Sequence, residues 1–261
     1  NVRAVKELSS VANQMGRKRA LSETYGGAGW ELTFGDMKRL GDWEYALGVN
    51  LMNQHLAHMT LKGRRKGDYP QSFLSHAPYW DDYGILVKYF ARLSLALSHG
   101  QQINNTLIIE PTTTAWMYYS PLVRNENIEN IKNSFRRLID DMEKLQLEYD
   151  LGAENIIKNQ GSIKGARFSV GLRDYDHVIL PPYFKNIDDT TWGLLKKYVI
   201  NGGKVYSFTI PEFINGEPSE DVKILAESQS NWTKIDNIQQ PDVVSDLNQP
   251  DFTVENPLSI N

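Results

Sequence analysis

The spacing of hydrophobic positions changes several times along the chain. Val5, Leu8, Val11, Ala12 and Met15 recur at helical spacing, and Gly16 ends the run. Residues 19–23 read as a short strand ending on a carboxylate, followed by a glycine-rich loop, Tyr25-Gly26-Gly27-Ala28-Gly29-Trp30. Thr33, with Asp36 three residues on, has the form of a capping box for a helix over 34–47 that Gly48 ends. Residues 49–55 are the next strand. A helix–strand–helix–strand order with short links predicts parallel strands joined by crossover helices.

A long loop over 61–78, rich in Arg, Lys, Gly and Pro, exceeds the usual connection length and so reads as functional. The spacing predicts a helix over 83–98, then a domain boundary within 100–105. Thr106-Leu107-Ile108-Ile109 is a continuous apolar run, as in a strand buried on both faces. A long amphipathic helix is expected over 128–147 and another helix over 191–200. Strands are expected over 166–170, 177–180 and 204–208. The fold class is α/β, and residues 101–210 read as a doubly wound sheet of about four parallel strands, like flavodoxin. Beyond 210 the chain turns polar and is broken by Pro241, Pro250 and Pro257. Residues 211–261 therefore read as a linker toward a further domain.

Of the 261 residues, 41% are apolar and 23% charged, which suits a packed core and excludes a disordered chain. The net charge of −4 has no basic block behind it, against a nucleic-acid partner. No apolar run is long enough to span a bilayer. The absence of cysteine excludes disulfides, thiol nucleophiles and thiolate metal sites. No Ser-His-Asp arrangement, Walker loop or dinucleotide fingerprint occurs, and Gly26-Gly27-Ala28-Gly29 has the wrong spacing for the last.

Chemistry concentrates after the predicted strands, because parallel α/β sheets place functional groups just past the carboxyl ends of their strands. Glu23 has that position, either as a functional carboxylate or as a structural cap. His55 and His58 follow the next strand. A spacing of three turns their rings to opposite faces, which favours hydrogen bonding to a hydroxylated ligand over a shared metal. Arg64 and Asp68 lie in a charged loop that is either solvated or a lid over the site. Trp30 and Trp80, with Tyr25 and Tyr79, would give that site aromatic faces of the kind that suit sugar rings. Thr112-Thr113-Thr114 would hold a phosphate only poorly, since Pro111 removes an amide donor.

The stretch from Arg19-Ala20-Leu21-Ser22-Glu23-Thr24-Tyr25-Gly26 through Gly48-Val49-Asn50 and His55 resembles the end of the catalytic barrel in glycoside hydrolase family 106, the α-L-rhamnosidases. Lys62-Gly63-Arg64-Arg65-Lys66-Gly67-Asp68-Tyr69-Pro70 and Pro78-Tyr79-Trp80 continue the likeness. Tyr175-Asp176-His177-Val178-Ile179-Leu180-Pro181 resembles the flavodoxin-like domain behind that barrel, and more distantly that of family 42 β-galactosidases. The resemblance implies that residues 1–100 are the last strand–helix units of a (β/α)8 barrel. Glu23 would end its seventh strand and His55 its eighth. It further implies a pair of catalytic carboxylates, a bacterial secreted or periplasmic protein acting on plant or microbial carbohydrate, and possible calcium, with Glu23 as catalytic group or calcium ligand. The rest of the barrel would be this chain's partner, and the piece alone would be inactive. The family 42 likeness adds an oligomerising role for the second domain. The competing expectation is a non-catalytic sugar-binding or assembly module.

Overall fold

The structure is a computed structural model, and it describes residues 1–247. The chain divides into two compact units, Arg3–Gln101 and Gln102 onward.

In the first unit, helix α1 (Val2–Gln14) precedes strand β1 (Leu21–Thr24), helix α2 (Phe34–Ala46), strand β2 (Leu51–Gln54) and helix α3 (Tyr83–Leu97). The two strands pair in parallel, with Glu23 opposite Asn53, and the His55 amide extends the ladder by donating to the Thr24 carbonyl at 2.8 Å. Met37 and Tyr45 of α2 pack with Tyr25, Val49, Phe73 and with Tyr83, Leu86 and Phe90 of α3. Gly41 permits this approach, since a Cβ there would fall 2.2 Å from the Phe90 ring. Thr33 caps α2 in a true capping box: its hydroxyl accepts from the Asp36 amide, and the Asp36 carboxylate accepts from the Thr33 amide. Thr33→Ala should cost about 1 kcal/mol, read as a lower urea midpoint at unchanged slope; an unmoved midpoint would show that the cap contributes nothing.

Helix α3 is apolar nearly all round. Only Tyr83, Leu86 and Phe90 are buried, while Ile85, Val87, Leu95 and Leu97 stand exposed. Leu8 and Val11 of α1 and Leu21 of β1 are exposed as well.

The second unit runs β3 (Thr106–Ile109), α4 (Thr112–Tyr118), α5 (Glu126–Lys144), β4 (Asp150–Gly152), α6 (Glu154–Gln160) and β5 (Gly161–Lys164). Strands β6 (Arg167–Val170), β7 (Arg173–Tyr175), β8 (His177–Leu180) and β9 (Asn186–Ile187) lead to α7 (Asp189–Ile200) and β10 (Lys204–Ser207). Strands β11 (Phe213–Ile214) and β12 (Glu217–Pro218), helix α8 (Asp221–Ser228), β13 (Trp232–Lys234) and α9 (Pro241–Leu247) complete it. Five strands form one parallel sheet in the order β13-β10-β8-β3-β4. Helices cover both faces. Ile108, Leu151, Ile179 and Tyr206 pack against α5 and α9. Leu107, Ile109, Val178, Leu180 and Val205 pack against α6, α7 and α8. Successive residues alternate between faces, so every residue of Thr106–Ile109 is buried.

Two expectations are corrected here. Residues 166–170 do not join the parallel sheet. They are the middle strand of an antiparallel sheet, β5-β6-β7, turned by Gly165 and Gly171 in left-handed conformations. Residues 211–247 are not a linker either. They form β11 to α9, and Trp232 is buried beside β10 with its indole N–H on the Ser207 hydroxyl at 2.9 Å. Charged residues on the outer faces of α8 and α9 made this segment look polar. Residues 248–261 of the expected linker lie outside the described residues.

No helix among the described residues is long and apolar enough to cross a membrane.

Candidate functional site

In the first unit a cavity of about 600 Å³ opens at the carboxyl ends of β1 and β2, lined by Glu23, Thr24, Tyr25, Gly26, Ala28, Leu40, Glu44, His55 and Tyr69. Parallel pairing brings Glu23 and His55 together. The His55 Nε2 lies 3.8 Å from the Glu23 Oε1, with the carboxylate about half exposed and the imidazole largely covered. That gap is too long for a direct hydrogen bond. It suits two groups that close on a hydroxyl or a water between them. The His55 ring packs over Gly26, where an added Cβ would meet it at 3.1 Å. On its other side it faces the Tyr69 ring, with centroids 5.4 Å apart.

The remaining wall is stiffened from α2. Glu44 accepts from the Ser22 hydroxyl at 2.9 Å and from the Thr24 hydroxyl at 2.8 Å, so both its oxygens are used in fixing the end of β1. The Tyr25 hydroxyl donates to the Met37 carbonyl at 2.6 Å, and burial raises its pKa well above the usual phenol range. Tyr25 and Tyr69 both hold a left-handed backbone, with φ of 74° and 46°. Non-glycine residues adopt that conformation mainly where the surroundings force it, and such residues gather at binding sites.

The other sequence candidates are placed outside this cavity. His58 puts its Nε2 2.6 Å from the Asp68 carbonyl, and the His58 amide donates to the Ser72 hydroxyl. The Trp30 indole N–H donates to the Lys66 carbonyl at 3.0 Å, and its ring lies 6.2 Å from those of His58 and His76. Trp30, His58 and Asp68 thus fold the long loop onto itself. Arg64 is exposed in a helical turn, Gly63–Gly67, of that loop. Trp80 stacks on Tyr83 at 5.9 Å. In their place the cavity takes Tyr25, Leu40, Glu44 and Tyr69. Tyr25 follows β1 directly, in the glycine-rich loop, whereas no local pattern announces Leu40, Glu44 or Tyr69, because they reach the cavity from a helix and from a loop more than forty residues downstream of β1.

The residues present do not suit calcium. That ion takes six to eight oxygen ligands, Glu44 is already committed to two hydroxyls, and no group of three or more His, Asp or Glu converges among the described residues. In the second unit, Thr113 and Thr114 hold neighbouring loops instead of facing a phosphate. The Thr113 hydroxyl donates to the buried Glu154 carboxylate at 2.5 Å, and Thr114 exchanges hydrogen bonds with the backbone of Asn186.

No protein-family model and no curated protein matches the chain. Among solved structures it is similar to the rhamnosidase from Novosphingobium sp. PP1Y, with a TM-score of 0.60 and 17% identity over 88% of this chain. The match covers 21% of that protein, so the chain spans about a fifth of its length. At that identity the likeness shows a shared mixed α/β fold with parallel sheets.

Proposed function

We propose that the chain is part of a glycoside hydrolase. Arg3–Gln101 would supply the last two strand–helix units of a (β/α)8 catalytic barrel, and the unit after it a flavodoxin-like domain. The observation that carries this is the pairing of Glu23 with His55 at adjacent strand ends, in a cavity walled by tyrosines. A carboxylate and an imidazole spaced to share a hydroxyl suit the general acid–base chemistry of glycoside cleavage, in which a second carboxylate takes part. The sheet order of the second unit, second-first-third-fourth-fifth along the chain, is that of flavodoxin. The exposed apolar faces of α1, α3 and β1 support a first unit built to pack against further strands and helices. The rhamnosidase neighbour supports a glycosidase reading and makes an α-L-rhamnoside the first substrate to test. Calcium has no part in this reading.

The test is a panel of aryl glycosides, α-L-rhamnoside first, given to this chain alone and to a longer protein that contains it. Turnover by the longer protein and none by the 261-residue chain is the expected result. No turnover of any glycoside by the longer protein would overturn the proposal, and turnover by the chain alone would overturn the shared barrel.

A further inference from the structure

A second cavity, of about 860 Å³, lies wholly within the second unit, outside the carboxyl ends of β8, β10 and β13 and beside α5. Open parallel sheets bind their ligands in this position, and the size is within the range of small-molecule sites. One wall is a polar stripe on α5, in which Asn130, Asn133, Ser134, Arg137, Asp141 and Lys144 share a face by their three- and four-residue spacing. The lining also includes two aromatic rings, Tyr183, three residues past β8, and Phe208, directly after β10.

Three groups lining this cleft keep a ring face or polar atoms that the fold itself does not use. Tyr183 sits in a left-handed backbone, φ 61°, immediately before the fully buried Phe184. The turn sends Phe184 into the core and Tyr183 outward, and the Thr209 hydroxyl accepts the Tyr183 amide at 2.9 Å to hold it so. An outward ring in a costly conformation adds nothing to the core. Arg137 makes no ion pair or hydrogen bond among the described residues, while its neighbour Arg136 pairs with Asp140. The Asn237 side-chain oxygen accepts from the Gln239 amide, which leaves its NH2 for another acceptor.

The lining identifies the ligand class. Arg137 and Lys144 are balanced by Asp141 and Asp236, so the cleft has no net charge to select a phosphate or a polyanion. It offers donors and acceptors of both kinds beside flat rings. A neutral pyranose needs that combination, with hydroxyls around its edge and C–H groups on its faces. We infer that the second unit binds a neutral oligosaccharide in this cleft. Such a site needs no turnover, and it stands whether or not Glu23 is catalytic.

Calorimetric titration of the 261-residue chain with cellohexaose, xylohexaose, mannohexaose and hexagalacturonate tests this. At least one neutral hexasaccharide should bind with Kd below about 1 mM. Tyr183→Ala should weaken it by about tenfold, Tyr183→Phe should retain it, and Glu23→Gln should leave it unchanged. Asn133→Ala, on the exposed face of α5, should also weaken it and does not touch the Tyr183 turn. The inference fails if no neutral hexasaccharide binds, if hexagalacturonate alone binds, or if binding survives both Tyr183→Ala and Asn133→Ala. Loss of binding with Glu23→Gln would move the site to the first unit and overturn it as well.

Discussion

Replacing Glu23 by Gln should lower kcat by about a hundred- to ten-thousand-fold in the glycosidase that we propose contains this chain, with KM nearly unchanged. The substitution keeps the shape of the side chain and removes its ability to exchange a proton. Loss of a positioned acid–base group costs that much. A fall in kcat without a rise in KM is the mark of an interaction made in the transition state. The fold should not notice, because Glu23 is half exposed and the His55 imidazole beside it stands 3.8 Å away, too far for a direct hydrogen bond. An unchanged melting temperature is therefore part of the expected result. His55→Ala should act differently. The ring packs between Gly26 and Tyr69, so its loss opens the cavity wall and should raise KM along with lowering kcat. A kcat for Glu23→Gln within about threefold of the parent would remove Glu23 from the chemistry.

Glu23 and His55 could be found in the sequence because Glu23 lies at the end of one short strand and His55 directly follows the next, and parallel pairing then sets them side by side. The rest of the cavity could not. Glu44 is a polar residue in an amphipathic helix until the structure shows it fixed by Ser22 and Thr24. Tyr69 comes from a loop whose path no periodicity describes. The fold divides in the same way. Thr106–Ile109 and the stripe of α5 announce themselves by apolar pattern. Strand β4 does not, since its three residues include Asp150 and Gly152. Asp150 tolerates burial in the sheet because Asn104 donates to it at 2.7 Å and the Tyr175 hydroxyl at 2.9 Å. Those donors lie over twenty residues away in either direction. The apolar content of residues 166–170 suggests a parallel strand, but Gly165 and Gly171, in the left-handed conformation of hairpin turns, make it the middle strand of an antiparallel sheet.

The second unit should lose stability as the pH rises from about 4.5 to about 7, and Glu154 is the reason. This carboxyl is almost wholly buried, and burial raises its pKa from 4.5 to about 7 against the pull of its hydrogen bonds from Thr113 and the Asp188 amide. The folded state therefore keeps a proton that the unfolded state has released. Its contribution is fully present below pH 4.5 and is lost as the pH passes through 7, in total about 3 kcal/mol. His177 works the other way over part of this window, because burial lowers its pKa and folding then favours the neutral ring as the pH rises. The comparison that isolates Glu154 is with Glu154→Gln. The amide oxygen can still accept from Asp188, and the amide NH2 can donate to the Thr113 hydroxyl, so the loop contacts survive while the titration disappears. Glu154→Gln should match the parent near pH 4.5 and exceed it by about 3 kcal/mol near pH 8, measured by urea unfolding at both values. Parallel pH profiles for the two proteins would mean that Glu154 enters the fold already ionised, with the Thr113 hydroxyl and the Asp188 amide held by a charge instead of a neutral acid.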